Sequence, residues 1–179
     1  MGSKIKEIFF DWIKIIVAAI VLSLFVRNYV AEAKWIPSES MLPTLKVGDH
    51  IIIDKLFYKL NGAGGINRGD IVVFNPPQSA NLSEKVLIKR VVGLPGETIS
   101  VKSGSVYING KQINEPYILE KSSMDFAPLE IPDNEIFVMG DNRNISYDSR
   151  FWGPLPLANI IGKAEFRYYP INEMGIINP

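Results

Sequence analysis

Two short segments hold the residue types best suited to bond-making chemistry: P-S-E-S-M-L-P-T-L at 37–45 and I-K-R-V-V-G-L-P-G-E at 88–97. The first offers Ser40 and the second Lys89. The chain has no cysteine and one histidine, so a serine hydrolase built on it would use lysine as its base. Pro37 and Pro43 bias Ile36 and Leu42 toward extended backbone and stiffen the loop that presents Ser40. In an extended segment, positions two apart point the same way, so the Ser38 hydroxyl shares a small volume with that of Ser40. Together with the Ser40 backbone N–H it could make a two-donor oxyanion hole. A solvated serine-rich turn accounts for the same residues.

Lys89 and Arg90 interrupt the apolar run Val86–Val92. Strand alternation puts Lys89 with Leu87 and Val91, and Arg90 with Ile88 and Val92, so one cation must share an apolar face. A lysine buried there loses solvation of its charged form and its pKa falls from about 10.4, giving an amine able to take a proton from a serine. A sheet edge carrying both cations is the other reading. The third polar segment, M-G-D-N-R-N-I-S-Y-D-S-R-F-W-G at 139–153, lies between apolar runs. Its Asp141, Arg143, Asp148 and Arg150 could form an ion-pair network that fixes a loop, and Ser146 could hydrogen-bond a neutral lysine. A plain surface loop is the alternative. His50 has no partner pattern around it and reads as an incidental polar residue.

Composition narrows the function. Lys+Arg and Asp+Glu are both 19, a net charge of zero, so nothing points to nucleic acid. Without cysteine there are no disulfides, thiolate zinc sites or cysteine nucleophiles. The Gly62–Gly65 stretch lacks the spacing of a nucleotide fingerprint and reads as loop.

The elements that must position these residues begin with an apolar run, Ile15–Val26, interrupted only by Ser23 and extended upstream by Ile8–Ile13. As a helix, 8–26 spans about 28 Å, close to a hydrocarbon core of about 30 Å. Lys4, Lys6 and Lys14 precede it and Arg27 and Lys34 follow, which favours a cytoplasmic N-terminus. The expected organisation is 1–7 cytoplasmic, 8–30 transmembrane anchor and 31–179 an extracytoplasmic β-rich domain. A cleavable signal peptide ending at Ala31-Glu32-Ala33, and a buried core helix, are the rival readings.

Beyond residue 35, short β-branched runs alternate with Gly and Pro. Expected strands are Asp49–Asp54, Ile71–Phe74, Val86–Gly93, Thr98–Lys102, Ser105–Ile108, Lys111–Ile113, Glu135–Met139 and Ile160–Tyr169. Asn109-Gly110 predicts a type I′ hairpin turn. Residues 55–68 and 114–132 read as long loops. The fold class is mainly β: an antiparallel sheet sandwich or distorted barrel with one N-terminal helix.

In this order the segments resemble type I signal peptidases, the membrane-anchored Ser-Lys proteases of peptidase family S26, in their compact single-span form. The resemblance covers nearly the whole chain. It implies Ser40 as nucleophile, Lys89 as general base, Ser38 and the Ser40 amide as oxyanion hole, Ser146 as the residue that positions the lysine, and Asp148 and Arg150 as structural partners. Ile145 departs from the asparagine many relatives carry. The implied activity is cleavage of exported preproteins after small residues of A-x-A sites, through an acyl-enzyme, with no cofactor and no metal. The implied partners are preproteins and the lipid bilayer, at a cell membrane or a thylakoid. Trp35, Ile36, Phe151 and Trp152 suit either a lipid interface or the core. Ala31-Glu32-Ala33 could itself be a self-cleavage site. The alternatives in function are a self-cleaving Ser-Lys protease of the SOS-repressor type and a non-enzymatic anchored β-domain.

Overall fold

The apolar N-terminus forms one long helix, α1 (Gly2–Phe25), which a π-helical turn over Val26–Val30 carries on to the domain. A computed structural model describes residues 2–56 and 65–177. Side chains of α1 stand exposed around its circumference, Phe10 at 58 %, Trp12 at 62 % and Leu22 at 63 %. The buried-core-helix reading is therefore wrong: this apolar surface is not packed inside the fold. The segment Phe9–Val30 is 22 residues long and apolar enough to cross a membrane, about 33 Å as a helix.

Next comes β1 (Ala31–Trp35), which pairs antiparallel with β2 (His50–Asp54), Ala33 opposite Ile52. Cleavage after Ala33 would cut this strand in mid-ladder. The main sheet continues with β3 (Ile71–Phe74), β4 (Leu87–Gly93), β9 (Glu135–Met139), β10 (Leu155–Pro156) and β11 (Ile160–Tyr169). Its order is β1-β2-β11-β3-β4-β9-β10, with β12 (Gly175–Ile176) on β11. The second sheet, β7-β6-β5-β8, uses β5 (Thr98–Lys102), β6 (Ser105–Ile108), β7 (Lys111–Gln112) and β8 (Phe126–Glu130). All named strand pairings are antiparallel, as the mainly β expectation required.

Five expected strands appear with their bounds unchanged: β3, β5, β6, β9 and β11. Asn109 and Gly110 have φ of 51° and 76°, the mirror-image turn their types favour. The expected loop over 114–132 is corrected, since it contains β8. Pro128 hid this strand. A proline cannot donate to a ladder, and β8 tolerates it as an edge strand paired with β5 alone. The expected loop over 55–68, with Gly62–Gly65, falls largely on residues 57–64, outside the described ones.

Three buried clusters hold the domain together. Ile36, Met41 and Leu45 from the β1–β2 connection pack with Ile51, Ile53, Ile71, Val73 and Ile88. Val72, Phe74, Val91, Val138 and Trp152 form the second, and Val92, Phe137 and Met139 join the two sheets through Ile99, Val101 and Val106. Ile36 and Trp152 are thus core residues, not interface anchors, whereas Trp35 and Phe151 are both exposed.

Candidate active site

Ser40 sits in the connection between β1 and β2. The sequence reading placed it in extended chain; the structure instead puts Glu39–Met41 in a single 3-10 turn, with Ser38 extended before it. Fully buried Met41 and Leu45 pin the turn to the core. Asp49 closes the loop: its carbonyl accepts from Ile36 N and its carboxylate from Lys46 N and Arg167. The hydroxyls of Ser38 and Ser40 still meet, 3.3 Å apart.

Lys89 reaches Ser40 from β4. Its Nζ lies 2.7 Å from Ser40 Oγ and also donates to the Ile88 carbonyl at 2.9 Å. The side chain is 4 % exposed. Burial brings its pKa down to about 8, against the opposing pull of Asp148 and Asp141. The edge-lysine reading fails here, because Lys89 is inside. A substantial fraction of this amine is therefore neutral at mildly alkaline pH, within proton-transfer distance of a single alcohol.

The polar segment 140–150 braces the pair. Asp148 caps the one-turn helix α2 (Ser149–Trp152), accepts from Gly140 N and holds Arg150 through both oxygens at 2.8 Å. Arg150 also donates to Ser122 Oγ and the Arg143 carbonyl. The other two expected network members pair outside the segment. Asp141 chelates Arg90 at 2.8 Å through each oxygen, and Arg143 forks onto Glu115. Tyr117 lies against the Arg90 guanidinium, 4.0 Å from ring centre to Cζ. Asn142 N donates to the Ser40 carbonyl, tying this segment to the serine loop. Ser146 is buried, but its Oγ has no hydrogen-bond partner among the described residues, so the expected bond to Lys89 is not made in this structure. Among the described residues, the His50 ring meets Tyr168 and Tyr169, away from Ser40 and Lys89.

Arg90, Glu115, Thr44 and Asn142 belong to this assembly but were given no site role from sequence. Arg90 was noted as a second cation inside an apolar run, and Thr44 and Asn142 lie inside the two polar motifs without a mark of their own. Nothing in the sequence marks Glu115.

A groove of about 400 Å³ opens beside the pair. Ile36, Ile51, Val73, Val86 and Ile88 give it apolar walls, and Ser38, Lys89, Lys34 and Glu84 are the polar side chains of its lining. Two strand edges flank it. Among the described residues, β1 pairs only with β2, and β9 covers β4 only from Arg90 onward, leaving the Leu87–Lys89 edge without a strand on that side. Strand edges of this kind present unpaired backbone groups to which an extended chain can add.

An alcohol beside a desolvated amine, next to an apolar groove, is the arrangement that nucleophilic catalysis by a serine with a lysine base requires. Comparison with known proteins gives the family. A model described as "Signal peptidase, peptidase S26" matches residues 9–169. "Signal peptidase I" of Leptolyngbya laminosa is 48 % identical over 174 residues, 94 % of this chain and 84 % of that one. "Probable signal peptidase I-2" of Synechocystis sp. is 42 % identical over 92 % of this chain and 75 % of its own length. "Signal peptidase I S" of Bacillus subtilis is 38 % identical over 96 % and 95 %. The chain belongs to the signal peptidase family, peptidase S26.

Proposed function

We propose that Ser40 and Lys89 are the nucleophile and general base with which this member of the signal peptidase family cuts signal peptides from preproteins. The activity is that of a serine endopeptidase acting on signal peptides. The observation that carries the assignment is the 2.7 Å contact between Ser40 Oγ and a buried amine of lowered pKa. Neutral Lys89 takes the Ser40 proton as Oγ attacks the carbonyl carbon of the residue before the cut. Ser38 Oγ–H and the Ser40 amide stabilise the oxyanion. The Lys89 ammonium then gives its proton to the departing amine, leaving an ester on Ser40. Lys89 next takes a proton from water, which hydrolyses the ester and restores both groups.

Asp141, Arg143, Asp148 and Arg150 act as positioning residues, and buried Ser146 as the group that orients the amine during turnover. Small apolar residues before the cut suit a groove lined largely by Ile, Val and Leu side chains. The helix α1 fits a membrane-anchored protein. We assign 1–7 to the cytoplasm, 8–30 to the span and 31–179 to the far side, on the bias of Lys4, Lys6 and Lys14. The Ala31-Glu32-Ala33 triplet, held in the β1–β2 ladder, is then not a substrate in the folded chain.

The test is incubation of the full chain in detergent with a preprotein bearing an A-x-A site. Wild type releases the mature protein; Ser40→Ala and Lys89→Ala do not, while their circular dichroism is unchanged. Turnover by either variant overturns the assignment. Cleavage of the chain itself and of no preprotein supports the self-cleaving reading, and binding without cleavage supports the scaffold.

A further inference from the structure

Followed backward along β1, away from Ser40, the substrate groove gives way to a larger cleft. It measures about 730 Å³ and lies between the membrane helix and the start of β1. One wall is Ala19, Leu22, Ser23 and Val26, a three-and-four spacing that makes one helix face, with Arg27 following it in the chain. The other is Ala31–Ala33. The two clefts are thus consecutive along one strand: Ala31–Ala33 line this one, and Lys34–Ser38 line the groove.

We propose that this cleft receives the apolar helix of the signal peptide, laid alongside α1, while the residues leading to the cut run extended through the groove. The proposal rests on the peptidase reading above. A signal peptide carries an apolar stretch of about 7–15 residues upstream of its cleavage site. With its scissile carbonyl at Ser40 and its upstream residues beside β1, it leaves the groove at Lys34 and, continuing along the same strand, passes Ala33 into the adjoining cleft. At about 3.3 Å per residue, roughly six extended residues, about 20 Å, separate the cut from that level. Residues farther upstream meet a wall inside the membrane-length segment Phe9–Val30, where an apolar helix belongs. Ala19, Ser23, Ala31 and Ala33 are small, which lets a second backbone approach closely. The lining carries two charged residues, Glu32 and Arg27; Glu32 is ion-paired with Lys34 and Lys55, and Arg27 lies just beyond the apolar helix face, where a basic group sits at the end of a membrane-length segment. A lipid chain would match the walls but lacks the connection to the groove. On this reading the cleft acts as a ruler that sets how far from the apolar helix the bond is cut.

The test uses the full chain in phosphatidylglycerol/phosphatidylethanolamine vesicles, with two substrates: a whole preprotein and a short peptide that begins about five residues before the cut. Ala19→Trp and, separately, Ser23→Trp fill the cleft. Each should raise KM for the preprotein about tenfold or more, the effect of losing one good apolar contact, while short-peptide kcat/KM changes less than about twofold. Val21→Trp, on the opposite side of α1, should match wild type on both. A photoreactive residue placed in the apolar stretch of the preprotein, added to the Ser40→Ala chain, should crosslink to the α1 peptide containing Ala19. Unchanged preprotein KM in both cleft variants, equal loss on both substrates, or crosslinks to lipid alone would overturn the proposal. Failure of wild type to cut even the short peptide is a different result, which removes the peptidase reading and this proposal with it.

Discussion

Lys89 and Arg90 stand side by side in β4, both buried, yet only Arg90 has a carboxylate on it. Asp141 chelates Arg90, and among the described residues Lys89 has no acidic group within ion-pair distance. The difference sets their chemistry. A buried charge with a bidentate partner stays charged, and one without a partner loses its proton readily. The same strand therefore supplies an ion-paired guanidinium that ties it to Asp141 and, beside it, an amine of lowered pKa.

The first consequence is a pH profile. In the proposed mechanism the active form of Lys89 is the neutral amine, and its pKa is lowered to about 8 by burial. kcat/KM for a preprotein should rise with pH, with an acidic limb near 8, and level off above it. At pH 7 about a tenth of the enzyme carries the free amine. Asp148 raises the Lys89 pKa, so Asp148→Asn should move the limb to lower pH even as the lost Arg150 contacts lower the plateau. A limb that stays put, or that moves upward in this variant, would contradict the role of Lys89.

The same shift is a stability cost with a definite window. The unfolded chain keeps this proton up to about 10.5, whereas the folded chain releases it near 8. Between these values the unfolded state binds more protons, so the penalty is in full force below about 8 and fades as pH rises to 10.5. Lys89→Met should abolish cleavage yet stabilise the domain at pH 7, by up to about 3 kcal/mol before the lost hydrogen bonds are counted. Paired urea titrations at pH 7 and at 10.5 measure this, with the gain expected only at the lower value. An equal difference at both would sink it.

Ser146 invites a separate comparison. Its Oγ is buried without a hydrogen bond among the described residues, a state that costs about 1–3 kcal/mol. Ser146→Ala removes that cost, so thermal stability should hold or rise. Turnover should fall about 10²-fold, because a lysine free to swing is lost from its attack geometry. The acidic limb should also move up, since a hydroxyl that donates to the neutral amine favours that form. Loss of stability with an unmoved limb would make Ser146 a packing residue only.

How far the sequence carries the reader differs between the pair and its frame. Ser40 and Lys89 were legible because each breaks a local pattern: one by its flanking prolines, the other by a charge inside an apolar run. Strands such as β3 and β9 were legible because they are continuous apolar runs, and the Asn109-Gly110 turn because of its residue types. β1 was not, since A-E-A-K-W has neither a clean alternation nor β-branched residues; its strand form comes from the β2 ladder. The partner of Arg90 lies 51 residues away and that of Arg143 28 residues away. Acidic residues are numerous enough that only the folded chain selects Asp141 and Glu115. The turn at Ser40 was misjudged for the same reason: burial of Met41 and Leu45, a tertiary effect, winds the segment up.

Gly140 offers the sharpest test of how the frame holds the serine. A Cβ built there would overlap Ser146 Oγ and the Ser40 carbonyl oxygen, so the bare backbone is what lets the two loops meet. Gly140 N also donates to Asp148, and its carbonyl accepts from Arg143. None of these neighbours can yield cheaply, because Ser146, Asp148 and Arg143 are buried and the Ser40 carbonyl is held by Asn142. Gly140→Ala should therefore cost about 1–3 kcal/mol, as overpacking does, and push Ser40 off Lys89 with a loss of 10²-fold or more, approximately, in kcat. Gly175→Ala is the control: nothing lies within 4 Å of its added Cβ. Melting temperature and preprotein kcat/KM of the two variants, measured side by side, decide the matter. Wild-type turnover in Gly140→Ala would mean that the contact between the 140–150 segment and the serine loop does not govern the geometry of the pair.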